Sequence, residues 1–457
     1  MTNPVVVVGG GISGLAAAHQ LHTDGRHFVL LEASSRLGGK VDAGPVEGAD
    51  LAFPVDKAAD GFLARQPEVI DLCTELGLAD SLVSPSGARA FIWSNEALHP
   101  IPTPSVLGVP FEVDAVQTSG LISEAGAREF ASLIDQVAEP LVGDASVGSV
   151  LRPRVGDEIF ERLIDPLLGG INAGNADELS IEAGAAQLAA AARAGGSLGN
   201  ALRTQVTASQ AAAGGPVFNG LRGGNLRLID ALESEFGEQI RTDHPATAIE
   251  REGAHWLVRT PSGNVRADSV ILASPAPVTA QLLHGHAPFA AETLATLAYG
   301  DAVLVTFVID KDQIDNPLDG SGFLVPRSEG LLMTACSWTS SKWDHYNDHT
   351  HAILRVSAGR RDDQRWLDLD PDQIVRQLQT ELTATIGLRG TPATRVTPWR
   401  QSLPQYRPGH LDRCQAIDAS LANQAPGLVV TGAQMRGLGL PACVRQGRDA
   451  AANLSTS

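Results

Sequence analysis

Three glycines near the start of the chain, Gly9, Gly11 and Gly14, follow four consecutive valines (Val5 to Val8) and lead into the alanine-rich stretch LAAAHQL. Strand, GxGxxG turn and helix in that order form a dinucleotide-binding device. The first glycine permits the tight turn, the second lets backbone approach a pyrophosphate, and the third lets helix and strand pack closely. The pyrophosphate then lies against the free N–H groups of the helix N-terminus. Glu32 closes the next β-like run, HFVLLEA, eighteen residues after Gly14, where a carboxylate can accept hydrogen bonds from a ribose diol.

After Glu32 the chain reads ASSRLGGKV, placing Arg36, Gly38, Gly39 and Lys40 in an extra loop where a simple nicotinamide domain would turn straight into its next helix. This loop resembles the RxGG(R/K) signature of the amine-oxidase-like flavoprotein superfamily, which makes FAD the expected cofactor. The stretch LVVTGAQMRGLGLPACVRQG (Leu428 to Gly447) then acquires a role. Val429 to Thr431 is expected as a central strand of the same sheet. Gly432, Gly437 and Gly439 let the chain pass close to a ring, and Pro441 fits the first turn of a helix. That helix N-terminus can face the N1/C2=O edge of an isoalloxazine and stabilise negative charge there. No second GxGxxG is present, so electrons are expected to enter from the substrate and leave to an external acceptor.

These motifs at both ends require an α/β fold with a discontinuous Rossmann-like FAD-binding domain. We expect it to comprise residues 1–75, 206–275 and 396–457. The middle segment carries a β-meander turning at Ser262–Gly263 and a buried strand from Ser269 to Ala273. Residues 96–205 read as a helical domain. Residues 276–395, with 76–95 as a minor segment, read as a mixed-sheet substrate domain with one helix from Pro371 to Ile386. The small-residue stretch from Gly195 to Gly215 reads as a mobile segment or a helix junction.

The 457 residues carry a net charge of −18 and are 43% hydrophobic, 19% charged and 5% aromatic. That field disfavours nucleic acid and anionic lipid surfaces. The four cysteines, Cys73, Cys336, Cys414 and Cys443, lack zinc spacing and read as buried reduced thiols, and no metal site is expected. We find neither a signal peptide nor an apolar run near the length of a membrane span, so a cytoplasmic location is expected.

Several long stretches, in order, resemble the oxygen-dependent porphyrinogen oxidases of the haem pathway: DKAADGFLARQPEVIDLCTELGL, RVGDEIFERLIDPLLGGINAGNADELS, NGLRGGNLRLIDAL and GLGLPACVRQGRDAA. LHPIPTPSVLGVPF, SGFLVPRSEGLLMTACSWTSSKWDH and WRQSLPQYRPGH are similar to the Gram-positive branch, whose members oxidise coproporphyrinogen III to coproporphyrin III. The resemblance implies FAD contacts at Gly9, Gly10, Gly11, Ile12, Ser13, Gly14, Leu15, Glu32, Ala33, Arg36, Gly39, Lys40, Ala59, Asp60, Ala246, Trp399, Gly432, Leu438, Gly439 and Leu440. It implies that the Gly170 carbonyl faces the porphyrinogen. Asn172 stands where an aromatic is more usual on that wall, and AADGFL replaces the commoner GPDSFL.

The implied chemistry removes six electrons in three flavin turnovers. Each turnover moves a hydride from a meso carbon to flavin N5, with O2 as acceptor and H2O2 as by-product, and a coproporphyrin ferrochelatase is a candidate downstream partner. The developing iminium acidifies its own N–H, so no protein base is nominated. His345, His349 and His351 read as a solvated loop. Four propionates in a −18 chain call for local cations, and Lys57, Arg65, Arg152 and Arg154 are candidates by position. Three alternatives remain: protoporphyrinogen IX as substrate, another flavin amine or carotenoid oxidoreductase, and a non-catalytic FAD-fold carrier.

Overall fold

The structure, a computed structural model, describes residues 3–87, 89–212 and 215–454. Val5–Val8 forms a strand whose neighbours, Phe28–Leu31 and Ser269–Leu272, run parallel on either side, with Val5 opposite Phe28 and Ser269. Ile240–Arg241 and Leu428–Val430 complete the five-stranded parallel sheet at its two edges. A strand covered on both faces needs no polar alternation, which explains the unbroken valine run. Val5 and Val7 pack with the helices Ile12–Thr23, Leu226–Phe236 and Leu440–Ala452. Val6 and Val8 face the opposite layer. That layer holds the meander Ala248–Glu252, His255–Arg259 and Val265–Ala267 and the helices Ala276–Leu283, Pro288–Ala295 and His410–Gln424.

Three expectations are corrected. The C-terminal strand is an edge strand, because Ser269–Leu272 occupies the place between it and Val5–Val8. Helices Ala276–Leu283 and Pro288–Ala295 cover the parallel sheet, so position 276 is not where packing changes partner. The strand Ala393–Pro404 likewise runs through position 396 as one unit of the second sheet.

This second sheet has seven strands in the order Ala393–Pro404, Tyr299–Asp310, His351–Ala358, Met333–Trp338, Gly322–Leu324, Ala90–Ser94, Ala97–Pro100. Only the Gly322–Leu324 and Ala90–Ser94 pair is parallel. Helix Pro371–Ile386 covers one face, capped by an Asp370/Gln373 capping box. The third part is helical between Val113 and Ala212, with its own core around Phe130, Leu151, Phe160 and Leu188. Residues 97–100 belong to the sheet, so the helical part begins later than 96. Of the Gly195–Gly215 stretch, Leu198–Ala212 is helix, and residues 213 and 214 lie outside the described residues.

Candidate active site

Two helix N-termini open without a side-chain cap. Gly11 begins Ile12–Thr23 and Gly439 begins Leu440–Ala452, both with extended backbone. Several other helices of the chain also lack such a cap, but here the capping residue is a glycine next to a glycine-rich turn, so no side chain covers the first backbone N–H groups, a setting that suits an anion. A Cβ built on Gly11 would meet no atom within 4 Å. A Cβ on Gly14 would collide with the Gly9 carbonyl, so the first helix packs close on its own turn, and one on Gly447 would collide with the Ser13 carbonyl, so the last helix crosses the first at a glycine.

Glu32 accepts from Gly10 N at 2.7 Å and from Ser34 N and Oγ at 2.8 and 2.7 Å, holding its carboxylate over the glycine turn. Gly38 N donates to Gly10 O at 2.8 Å, pinning the second loop to the first. Arg36 turns back onto the Leu37 and Gly39 carbonyls and lies 3.3 Å from Asp42. Lys40 keeps accessible surface while burial lowers its pKa, the combination of a cleft wall. Around the C-terminal glycines, the buried Tyr406 hydroxyl donates to Ala433 O and accepts from Gly437 N. Gln446 Oε1 accepts from Arg436 N at 2.7 Å, and His410 contacts Met435 O at 2.6 Å. Burial lowers the His410 pKa to about 4, so this contact comes from the neutral ring.

The second sheet supplies a floor. Val303, Val305, Phe307, Leu354 and Val356 point to the covered face. The other face is dry at both ends: Val308 and Ile353 pack under the loops around Val46 and Val55, and Ile92 and Leu324 meet the helical part. Between them Ala302, Leu304, Ala335, Ser337 and Ser357 remain half-buried, a strip of small side chains that suits a broad flat ligand.

Helix Asp165–Asn172 packs against Gly322–Leu324 and Met333–Trp338 at the border of this strip. A π-helical turn, Phe160–Ile164, precedes it, a deformation frequent at functional sites. A Cβ on Gly170 would meet nothing, and Ile171 beside it is 51% exposed. The turn that follows is pinned: Gln405 donates to Asn172 O at 2.7 Å, Arg327 to Gly174 O at 2.6 Å, and Arg361 N to Ala173 O at 2.8 Å. Arg327 also reaches Asp165 at 2.7 Å.

Among the expected substrate contacts, Asn172 is buried and donates to Leu168 O, so Ile171 offers the open side chain there. Arg152 is engaged by Asp157, Glu161 and Asp177 and lies over Phe160. Arg154 donates to the Val150 and Glu139 carbonyls, and Lys57 pairs with Asp42 at 3.0 Å. Arg65 is exposed. Of the three histidines, His349 is exposed, but the His345 ring lies 4.2 Å from that of Tyr346, tilted by 42°, and burial lowers its pKa to about 4. His351 opens a strand and contacts Asp348 at 2.6 Å, so the solvated-loop expectation holds for His349 alone. All four cysteines are buried and free, with burial raising each thiol pKa.

Residues 12–455 match the family described as flavin containing amine oxidoreductase. The chain belongs to that family. It is 30% identical to the coproporphyrinogen III oxidase of Bacillus subtilis over 99% of this chain and 98% of the relative. Identity to the coproporphyrinogen III oxidase of Mycobacterium leprae is 34%, covering 96% and 95%. The crystal structure of a putative protoporphyrinogen oxidase from Exiguobacterium superposes with a TM-score of 0.87 at 33% identity, covering 98% and 97%. The cofactor of this flavoenzyme is FAD, and its place within the family is with the porphyrinogen oxidases of haem synthesis. The two uncapped N-termini, the open space at Gly11 and the Glu32 carboxylate fit a dinucleotide. No described helix is long and apolar enough to cross a membrane, and no described group of side chains could hold a metal ion.

Proposed function

We propose that the enzyme oxidises coproporphyrinogen III to coproporphyrin III. The observation that carries this reading is identity of 30% and 34% to the coproporphyrinogen III oxidases of Bacillus subtilis and Mycobacterium leprae over nearly the whole chain, and the half-buried sheet strip bordered by the helix that carries Gly170 and Ile171 supports it. Bound FAD supplies a two-electron acceptor that O2 reoxidises, so a six-electron oxidation takes three turnovers and releases three H2O2.

The protein's share is binding and orientation. Backbone N–H groups of Gly11 to Gly14 would hold the pyrophosphate and Glu32 the ribose, and the resemblance adds Ala33, Gly39, Lys40, Ala59, Asp60, Ala246 and Trp399 as residues that would contact the cofactor. The helix N-terminus at Gly439 would favour negative charge on a ring edge placed before it. Leu304, Ala335, Ser357 and Ile171 exclude water from the tetrapyrrole. The Gly170 carbonyl sits in the last turn of its helix, where carbonyls carry partial negative charge, and among the described residues it accepts one long hydrogen bond, 3.4 Å from Ala173 N. It can therefore accept from a pyrrole N–H. The product still carries four propionates and an empty ring, so a metal-inserting chelatase is the reaction class that would consume it.

Aerobic incubation with coproporphyrinogen III and with protoporphyrinogen IX, following porphyrin fluorescence and peroxide, tests this reading. Faster turnover of the coproporphyrinogen with three peroxides per porphyrin is expected. A preference for protoporphyrinogen IX overturns the substrate assignment, and peroxide from neither overturns the oxidase.

A further inference from the structure

The loop from Asp56 to Gly61 leaves the first cofactor segment carrying two buried carboxylates. Asp60 Oδ1 lies 3.1 Å from Lys342 Nζ, and Oδ2 lies 3.0 Å from an Arg355 guanidinium nitrogen. Burial alone would raise the Asp60 pKa, but Lys342 and Arg355 outweigh it and hold the carboxyl below its ordinary range. Both cations come from the second sheet. Lys342 ends the short helix after Met333–Trp338, and Arg355 stands in His351–Ala358, one step along the same face from Ser357 of the open strip. Arg355 is 6% exposed and its Nε has no partner. The ion pairs thus cross the seam between the cofactor loop and the substrate floor.

The rest of the loop is held as tightly. Asn225 donates to Ala59 O at 2.9 Å, Trp399 to Lys57 O at 2.9 Å, and Tyr346 to Asp56 at 2.9 Å. A Cβ on Gly61 would come within 2.9 Å of Trp343, and one on Gly220 within 3.0 Å of the Asp60 carbonyl, so the loop has no room to slide.

We propose that Arg355 is a positioning residue for the cofactor. With Lys342 it fixes Asp60, and through Asp60 the Ala59 edge of the groove, in register with the sheet face that receives substrate. Buried ion pairs are a poor means of stabilising a fold, since desolvation offsets their attraction, but they do specify one geometry. The inference rests on the FAD assignment and on the proposed place of Ala59 at the cofactor groove, and not on which porphyrinogen is oxidised.

The test is titration of apoprotein with FAD, followed by flavin fluorescence, together with melting temperatures of apo and loaded protein for Arg355→Gln and Arg355→Lys. Expected is a loss of FAD affinity on the order of tenfold in Arg355→Gln, partial recovery in Arg355→Lys, and a narrowed gap between apo and loaded melting temperatures. Equal destabilisation of both forms with unchanged FAD affinity overturns the proposal, since a purely structural residue behaves that way. If Arg355→Gln yields no folded apoprotein, Lys342→Gln removes the other partner of Asp60. Weaker FAD binding there supports the proposal, and unchanged binding overturns it.

Discussion

Glu32 uses one carboxylate oxygen on the glycine turn and the other on Ser34, so it is already oriented before any ribose arrives. Replacing it with alanine removes these acceptors and is expected to weaken FAD binding by about 1–3 kcal/mol, read by titration of apoprotein. Asp56 makes a second prediction. Burial raises its pKa to about 6, with Arg355 and the Tyr346 hydroxyl opposing. Its protonated form is favoured in the fold, so it stabilises fully at low pH, and that contribution is lost as pH rises from about 4 through 6. The loss is on the order of 3 kcal/mol at about 1.4 kcal/mol per pKa unit. Asp56→Asn should flatten this fall, so the variant's denaturation midpoint should change less than the parent's between pH 4.5 and pH 7.5. Glu32 was legible because its partners lie within a few dozen residues at a spacing that dinucleotide geometry dictates. Asp56 was not, since Tyr346 is 290 positions away and no local periodicity announces the pair.

At the scale of elements, the first and last helices depend on each other. Gly447 presses on the Ser13 carbonyl with no space for a methyl group, so Gly447→Ala must push the helices apart. Overpacking of this kind costs about 1–3 kcal/mol, and the expected outcome is a lower melting temperature accompanied by release of flavin, seen together in one thermal scan. Glycine spacing and valine runs disclosed these elements because both are local signals. The lateral order of the strands was less visible: a wholly apolar run identifies a strand with two covered faces, yet Leu428–Val430 is apolar at the sheet's edge because helix His410–Gln424 and the meander cover it. The inward turn of Asn172 was hidden for a related reason, since a one-residue difference in helical phase decides which of Ile171 and Asn172 meets the cleft.

At the scale of the molecule, the net charge of −18 opposes the proposed substrate, coproporphyrinogen III, with its four carboxylates. Long-range repulsion is screened within a Debye length of about 8 Å at physiological salt. Raising ionic strength from low values should therefore increase kcat/KM for coproporphyrinogen while leaving kcat nearly constant, measured in steady-state assays across a salt series. The runs of strand and of helix were readable from local pattern, but which sheet each run joins near 276 and 396 was not, because those elements take partners far away in the chain. The two uncapped N-termini, Gly11 and Gly439, have a temporal consequence as well. During synthesis the amino-terminal half of the nucleotide cradle emerges more than four hundred residues before its counterpart. On the proposed reading a polypeptide that stops before helix Leu440–Ala452 lacks one half of that cradle, so flavin retention is expected to depend on that helix.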